Sequence, residues 1–314
     1  MRFLVTGATG FVGSEFCELA QVRGHSLLRV SRRAPEVASA EVVVADLEAA
    51  PDLSAVLAGV DVVVHLAARV HSMREDADDL EVAYRAANTE VTRRLAEQAA
   101  AAGVRRFVFV SSIKAMAERS PGRALTEADA PAPEDPYGRS KLLAEQVLRE
   151  VAEAHGMEWV VLRPTLVFGA GVGGNFARLL SLVDRGLPLP LGRAQALRSF
   201  INVWNFADLI ERCCVHPAAA GQIFLAADCC LGTAELIRAL GHVLQRPLRL
   251  LPVPMSWLDA WGRMLGMRGV VERLTGELRV DAGHAREVLG WQPRISLEDA
   301  LQRTARAWRE ASGR

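Results

Sequence analysis

Six short apolar runs, with stretches of helical periodicity between them, mark out the first half of the chain. They are Phe3 to Val5, Leu27 to Val30, Val42 to Val44, Val62 to Leu66, Phe107 to Val110 and Val160 to Leu162. Rich in Val, Leu and Phe and lacking alternation, they have the pattern of strands covered on both faces. Between them, Phe11 to Arg23, Leu80 to Ala102 and Tyr137 to His155 read as helices, with Gly24, Gly103 and Gly156 as stops at or just past their ends. Strands alternating with helices predict an α/β fold, a Rossmann-type doubly wound parallel sheet. The rhythm changes after Arg163-Pro164: Gly169 to Gly174 is glycine-rich and Leu187 to Leu191 carries two prolines. The expected organisation is a dinucleotide-binding domain at 1–165 and a smaller C-terminal substrate-binding domain at 166–314, with later segments free to return to the first sheet.

Composition removes several classes of function. The 314 residues carry 37 Lys+Arg against 37 Asp+Glu, a formal net charge of zero, which argues against a nucleic-acid or anionic-membrane partner recruited by bulk charge. The cysteines are Cys17 and the vicinal pairs Cys213-Cys214 and Cys229-Cys230, without a CxxC. Ligand pairs in thiolate metal sites are normally spaced by two to four residues, so these read as buried spectators in a reducing compartment, and no metal is expected. The N-terminus lacks the apolar core and cleavage site of a signal peptide, and Asp61 and His65 interrupt the longest candidate span. The expectation is a soluble cytoplasmic protein. Its oligomeric state is open, a homodimer included.

The first strand runs into Thr6-Gly7-Ala8-Thr9-Gly10-Phe11-Val12-Gly13, and a helix follows. Glycines there allow a tight turn and close backbone approach to a pyrophosphate, whose charge the helix N-terminus favours. An acidic residue ending the second strand would accept hydrogen bonds from a ribose 2′-hydroxyl. This chain has Ser31-Arg32-Arg33 instead, which suits a 2′-phosphate or forms a solvated basic turn. NADP(H) is therefore the expected cofactor, with NAD(H) the alternative. Asp46-Leu47 after the third strand fall beside the adenine, and Leu66, Ala67 and Ala68 after the fourth permit close approach of the cofactor.

Only two of the 37 basic residues are lysines, Lys114 and Lys141, and only two tyrosines occur, Tyr84 and Tyr137. One of each falls in Tyr137-Gly138-Arg139-Ser140-Lys141, a spacing of four that puts both on one helical face. An ammonium there favours a tyrosinate, and a phenol so tuned can exchange a proton with a carbinol or carbonyl oxygen. Ser111 and Ser112 end the fifth strand, at the edge where such sheets bind ligands, and either hydroxyl could bind that oxygen, Ser112 ahead of Ser111. Serines at strand ends are also ordinary caps.

Together these segments resemble the extended short-chain dehydrogenase/reductase family, the NAD-dependent epimerase/dehydratase group. The resemblance spans TGATGFVG at 6–13, DL at 46–47, HLAA at 65–68, Asn88, FVFVSS at 107–112, YGRSK at 137–141, LRPTLVFG at 162–169 with Pro164, GNF at 174–176, RSFINV at 198–203 and LGW at 289–291. It implies that Tyr137 is the acid/base, that Lys141 holds the nicotinamide ribose, that Ser112 binds a sugar hydroxyl and that Asn88 supports the site. By the same comparison Asn175 and Arg198 contact a sugar nucleotide, UDP-linked in such enzymes, and Arg279 lies near a second diphosphate-gripping arginine without clear register. Dehydratases carry an Asp-Glu pair where this chain has Ile113-Lys114, which disfavours dehydration. With Lys114 read either as a cation for a keto sugar or as a solvent-facing arginine equivalent, the resemblance implies reduction of a UDP-4-keto-hexose in polysaccharide synthesis. Alternatives are a UDP-sugar 4-epimerase on bound NAD, a ketone or steroid dehydrogenase, and a non-catalytic NADP sensor.

Overall fold

The computed structural model describes residues 1–32, 42–70, 77–254, 256–257, 264 and 276–313. All six apolar runs become strands: β1 (Arg2–Thr6), β2 (Ser26–Ser31), β3 (Val42–Val44), β4 (Val62–His65), β5 (Arg106–Val110) and β6 (Glu158–Pro164). Their sheet has the order β3-β2-β1-β4-β5-β6-β9, every pairing parallel. Its last member, β9 (Gln222–Ala226), comes from far beyond residue 165 and pairs with β6. Winding reverses between β1 and β4, so a crevice opens beyond the carboxyl ends of these two strands.

Successive side chains of a strand take opposite faces, and β1 supplies both layers of core. Phe3 and Val5 pack with Phe16, Phe206 and Ile210, beneath α1 (Phe11–Val22) and α7 (Val203–Val215). Leu4 packs with Leu57, Leu95 and Leu148, beneath α2 (Ser54–Leu57), α4 (Val91–Ala101) and α5 (Pro136–His155). The stretch expected as one helix from Leu80 to Ala102 is divided: α3 (Ala77–Tyr84) passes into α4 through a π-helical turn at Arg85–Glu90. The wider turn accompanies the inward placement of Asn88, which is 1% exposed.

A second sheet, ordered β10-β8-β7, joins β7 (Leu166–Phe168), β8 (Leu197–Asn202) and β10 (Cys229–Gly232). Its apolar layer includes Phe168, Phe176, Leu180, Ile237 and Leu301, under α6 (Gly174–Asp184), α8 (Thr233–Leu244) and α10 (Leu297–Ala311). The shorter α9 (Gly283–Leu289) returns to the first core through Ala285 and Leu289. Residues 278–281 tie the units together: Leu278 exchanges backbone hydrogen bonds with Leu197 and Ser199, while Arg279 and Asp281 bond Leu125 in the loop beyond β5.

The cysteines need one correction. Cys17, Cys213 and Cys214 are buried, but Cys229 is half-buried and Cys230 exposed, because neighbours in a strand face opposite ways. Among the described residues no helix is long and apolar enough to cross a membrane, and no cluster of three or more His, Cys, Asp or Glu could hold a metal ion.

Candidate active site

The glycine turn is shaped by contacts that leave no room for a side chain. Gly7 adopts a left-handed φ of 69°, and a Cβ there would lie 2.7 Å from the Ala67 nitrogen. On Gly13 it would lie 2.1 Å from the Gly7 oxygen. The turn is closed by Gly10 N–H donating to the Gly7 carbonyl at 2.9 Å, and α1 then begins with no side-chain cap among the described residues. Exposed Thr9 and Gly10, with half-buried Phe11 and Val12, thus present a bare helix N-terminus at the crevice, the chemistry that suits an anionic diphosphate. Leu66, Ala67 and Ala68 border the same turn, and Ala67 N–H donates to Thr6 Oγ1 at 3.2 Å. These residues fit a dinucleotide.

Other positions assigned from sequence around this end are placed as follows. Ser31 ends β2 and is half-buried, and Arg32 is exposed; Arg33 lies outside the described residues. Asp46 caps a short 3₁₀ turn by accepting from Glu48 N–H at 3.1 Å, with Leu47 half-buried beside it. Pro164 is buried at the end of β6, in register with Ala226. Asn175 is exposed in the first turn of α6. Arg198 is half-buried on β8 and donates to the Gly276 carbonyl at 2.8 Å. Arg279 turns to Glu277 at 2.8 Å and to the Gly122 carbonyl at 2.9 Å.

Asp135 starts α5, accepting from Gly138 N–H at 2.6 Å with Pro136 in the first turn, a strong helix start. Tyr137 follows at once. Ser112 hydrogen-bonds its phenol oxygen, and the Tyr84 ring meets it edge-on at 5.8 Å between centroids. Burial pushes the phenol up to about 12, the Ser112 bond opposes this, and the nearby Asp135 charge adds to it. Lys141 lies one turn further on, 1% exposed, donating to the Val110 carbonyl at 2.7 Å with Nζ 4.1 Å from the centre of the Phe109 ring. Burial pulls its ammonium down to about 7, against the favourable charge of Glu145. The expected direct tuning of phenol by ammonium is therefore corrected: desolvation dominates both groups, and the ammonium is engaged with β5.

Two further candidates are committed elsewhere. The Ser111 hydroxyl donates to Glu145, which also takes the Arg163 guanidinium at 2.6 Å in a buried cluster, so Ser111 belongs to the support beneath the site. Lys114 Nζ bonds Glu118 at 2.9 Å and also Asp135, and is neither free for a keto sugar nor turned to solvent. Asn88 reaches α5 as well: its Nδ2 donates to Ser140 Oγ at 3.0 Å, and Ser140 Oγ donates to the Tyr137 carbonyl at 2.8 Å. Sequence alone does not single out Asp135, Glu118, Gly138 or Glu145 as part of this arrangement. Asp135-Pro136 before an apolar-periodic segment is a readable helix start; Glu118 pairs with Lys114 four residues away, and Gly138 and Glu145 depend on contacts across the fold.

His65 ends β4 with no exposed surface, its Nδ1 2.6 Å from Thr6 Oγ1 and its ring stacked on Phe109. Burial, with help from the Lys141 charge, lowers it to about 3 from the usual 6.5. Between those values the unfolded chain holds more protons than the folded one, so this group lowers stability as pH falls below 6.5. The expected result is that His65→Leu gains on the wild type by ~1.4 kcal/mol for each pH unit of that descent, read from urea unfolding at several pH values. Parallel pH curves for the two proteins would contradict it.

A parallel sheet with a bare glycine turn on its first strand and a Tyr-Lys pair opposite defines a dinucleotide-fold enzyme. The model of the NAD dependent epimerase/dehydratase family matches residues 3–227, and the chain belongs to that family. It is 40% identical over 316 residues to UDP-glucose 4-epimerase of Vibrio cholerae, covering 99% of this chain and 96% of the relative. It is also 31% identical over 331 residues to a 3-diazoavenalumate denitrifying reductase of Streptomyces sp, covering 100% of both. The structure of MoeE5 in complex with UDP-glucose and NAD matches with a TM-score of 0.79 at 25% identity, covering 100% of each chain.

Proposed function

We propose that this enzyme oxidises and re-reduces C4 of a UDP-hexose on a retained NAD, and so interconverts C4 epimers. The observation that carries the reading is the hydrogen-bonded Ser112–Tyr137 pair at the carboxyl edge of the sheet, with buried Lys141 one turn away. Similarity along nearly the whole chain to a UDP-glucose 4-epimerase supports the choice of reaction. The sequence alone favoured net reduction partly through Lys114, and its engagement by Asp135 and Glu118 withdraws that support.

In this reading residues 1–165, completed by β9, hold the dinucleotide, and residues 166–314 hold the sugar nucleotide through Asn175 and Arg198. When bound, NAD supplies the hydride acceptor and donor. Tyr137 takes the proton from the C4 hydroxyl and later returns it, while Ser112 holds that oxygen in place. A phenol at about 12 is a poor base near neutrality, so the reading requires cationic charge to be brought beside it in the loaded enzyme. Asn88 and Ser140 fix the backbone of the turn that carries Tyr137.

A second reading, net 4-keto reduction with exchangeable NADPH, is favoured by Ser31-Arg32, which leaves the end of β2 without a carboxylate. Denaturing the purified protein and identifying the released nucleotide separates the two. Stoichiometric NAD, together with conversion of UDP-glucose to its C4 epimer without net cofactor change, is expected. Oxidation of one NADPH per keto sugar would establish the second reading, and undetectable binding of any UDP-sugar would remove both.

A further inference from the structure

Lys114 ends in a contact that the proposed chemistry does not use. The turn Ile113–Ala115 follows Ser112, and Lys114 N–H donates to Ser112 Oγ at 3.2 Å. The same residue packs its backbone against α5: a Cβ on Gly138 would lie 2.3 Å from the Lys114 carbonyl oxygen. Its side chain then crosses to Asp135, whose two oxygens divide the work. Oδ2 takes the ammonium and Oδ1 takes the Gly138 N–H, one residue past Tyr137. One lysine thus touches the hydroxyl, the helix and the helix cap from which the hydroxyl–phenol pair is assembled.

We infer that Lys114 is a positioning residue, which holds Ser112 against Tyr137 and neutralises the charge that Asp135 places beside the phenol; the inference rests on the roles proposed above for Ser112 and Tyr137. The groups around that phenol are Ser112 from the turn after β5, Asp135 from the loop before α5 and Tyr84 from α3, with Lys141 on its own helix turned to Val110. Of these, Asp135 is the one anion, and burial alone would push its carboxyl up. Its bonds from Lys114 and Gly138 overcome that and hold it below the usual carboxylate range. Lys114 answers in kind: burial opposes its charge, but Asp135 and Glu118 raise it above the ordinary lysine value. Removing the ammonium leaves an uncompensated carboxylate at Tyr137, and removing the carboxylate's charge does the reverse.

With two tyrosines in the chain, the prediction can be read directly. Protein labelled at the tyrosine ring carbon bearing the hydroxyl gives two NMR resonances, and Tyr84→Phe assigns them. In Lys114→Met the Tyr137 resonance should titrate at a pH higher by about half a unit or more. In Asp135→Asn, whose amide oxygen still caps Gly138, it should titrate lower, and Lys114→Arg should restore the wild-type curve. Turnover of UDP-glucose by Lys114→Met should fall roughly tenfold in kcat with KM little changed. An unmoved or lowered titration in Lys114→Met, or a raised one in Asp135→Asn, overturns the inference; should Lys114→Met fail to fold, the Asp135→Asn titration decides alone. Absence of UDP-sugar turnover in the wild type would instead remove the functional reading and leave the phenol titration to judge Lys114.

Discussion

Tyr137→Phe is expected to lower turnover by about 10²–10⁴-fold, the range that a positioned acid/base contributes. The change deletes one hydroxyl and its hydrogen bond with Ser112, whose oxygen keeps the Lys114 N–H as a partner. The ring keeps its edge-on contact with Tyr84, and the hydrogen bond from Ser140 is to the Tyr137 backbone carbonyl, which is unchanged. The helix start at Asp135 accepts from Gly138, so it too survives. Thermal stability should therefore stay close to wild type. Dinucleotide binding should persist, because the glycine turn lies on β1 and α1, away from the deleted atom. The measurement is kcat for UDP-glucose interconversion beside the amount of nucleotide retained. A variant that keeps both nucleotide and turnover would dismiss Tyr137 as the proton carrier.

That prediction was readable from sequence because its elements are local. A spacing of four on a helix, a glycine turn after a strand and apolar runs between amphipathic stretches are patterns set within about twenty residues. The same reasoning placed Ser112 ahead of Ser111, and the structure turns the Ser111 hydroxyl to Glu145. It failed where a side chain's partner is distant. Lys114 looked available for substrate because nothing in Ser111-Ser112-Ile113-Lys114 announces Asp135, 21 residues away. The fate of Asn88 depended on a π-helical turn that helical periodicity does not encode. In the same way, Gln222–Ala226 carries no mark of the sheet edge it joins, since strand order is decided by packing between helices on both faces.

Electrostatics was the least legible part, because burial changes the sign of an argument that spacing alone supports. A spacing of four from Tyr137 to Lys141 suggests attraction on a helix surface. In the interior desolvation is the largest effect on each group, and the phenol rises while the ammonium falls. What keeps Lys141 near physiological range is a second anion another turn along α5, Glu145, and that anion needs a partner of its own.

Arg163→Met should accordingly be strongly destabilising, costing ~3–5 kcal/mol in urea unfolding. Arg163 on β6 and Glu145 on α5 are 2% and 5% exposed, joined by bonds of 2.6, 3.1 and 3.2 Å, with the Ser111 hydroxyl as the other donor to the carboxylate. Without the guanidinium the carboxylate stays buried with Ser111 as its remaining hydrogen-bond donor among the described residues. A second change separates packing from charge. Arg163→Met combined with Glu145→Leu replaces the pair by apolar volume and should recover most of the lost stability, because a buried pair contributes little beyond its own desolvation. Activity should not recover with it. Lys141 loses the charge that supports its ammonium, deprotonates at a lower pH than in the wild type, and is neutral in a larger fraction of molecules near pH 7. The double variant should fold well, turn over poorly at neutral pH and regain part of its relative kcat as the pH is lowered. Wild-type kcat in that variant across the pH range would show that Glu145 does not sustain Lys141, and a loss of less than about 1 kcal/mol in Arg163→Met would show that the cluster is not the buried ion pair described.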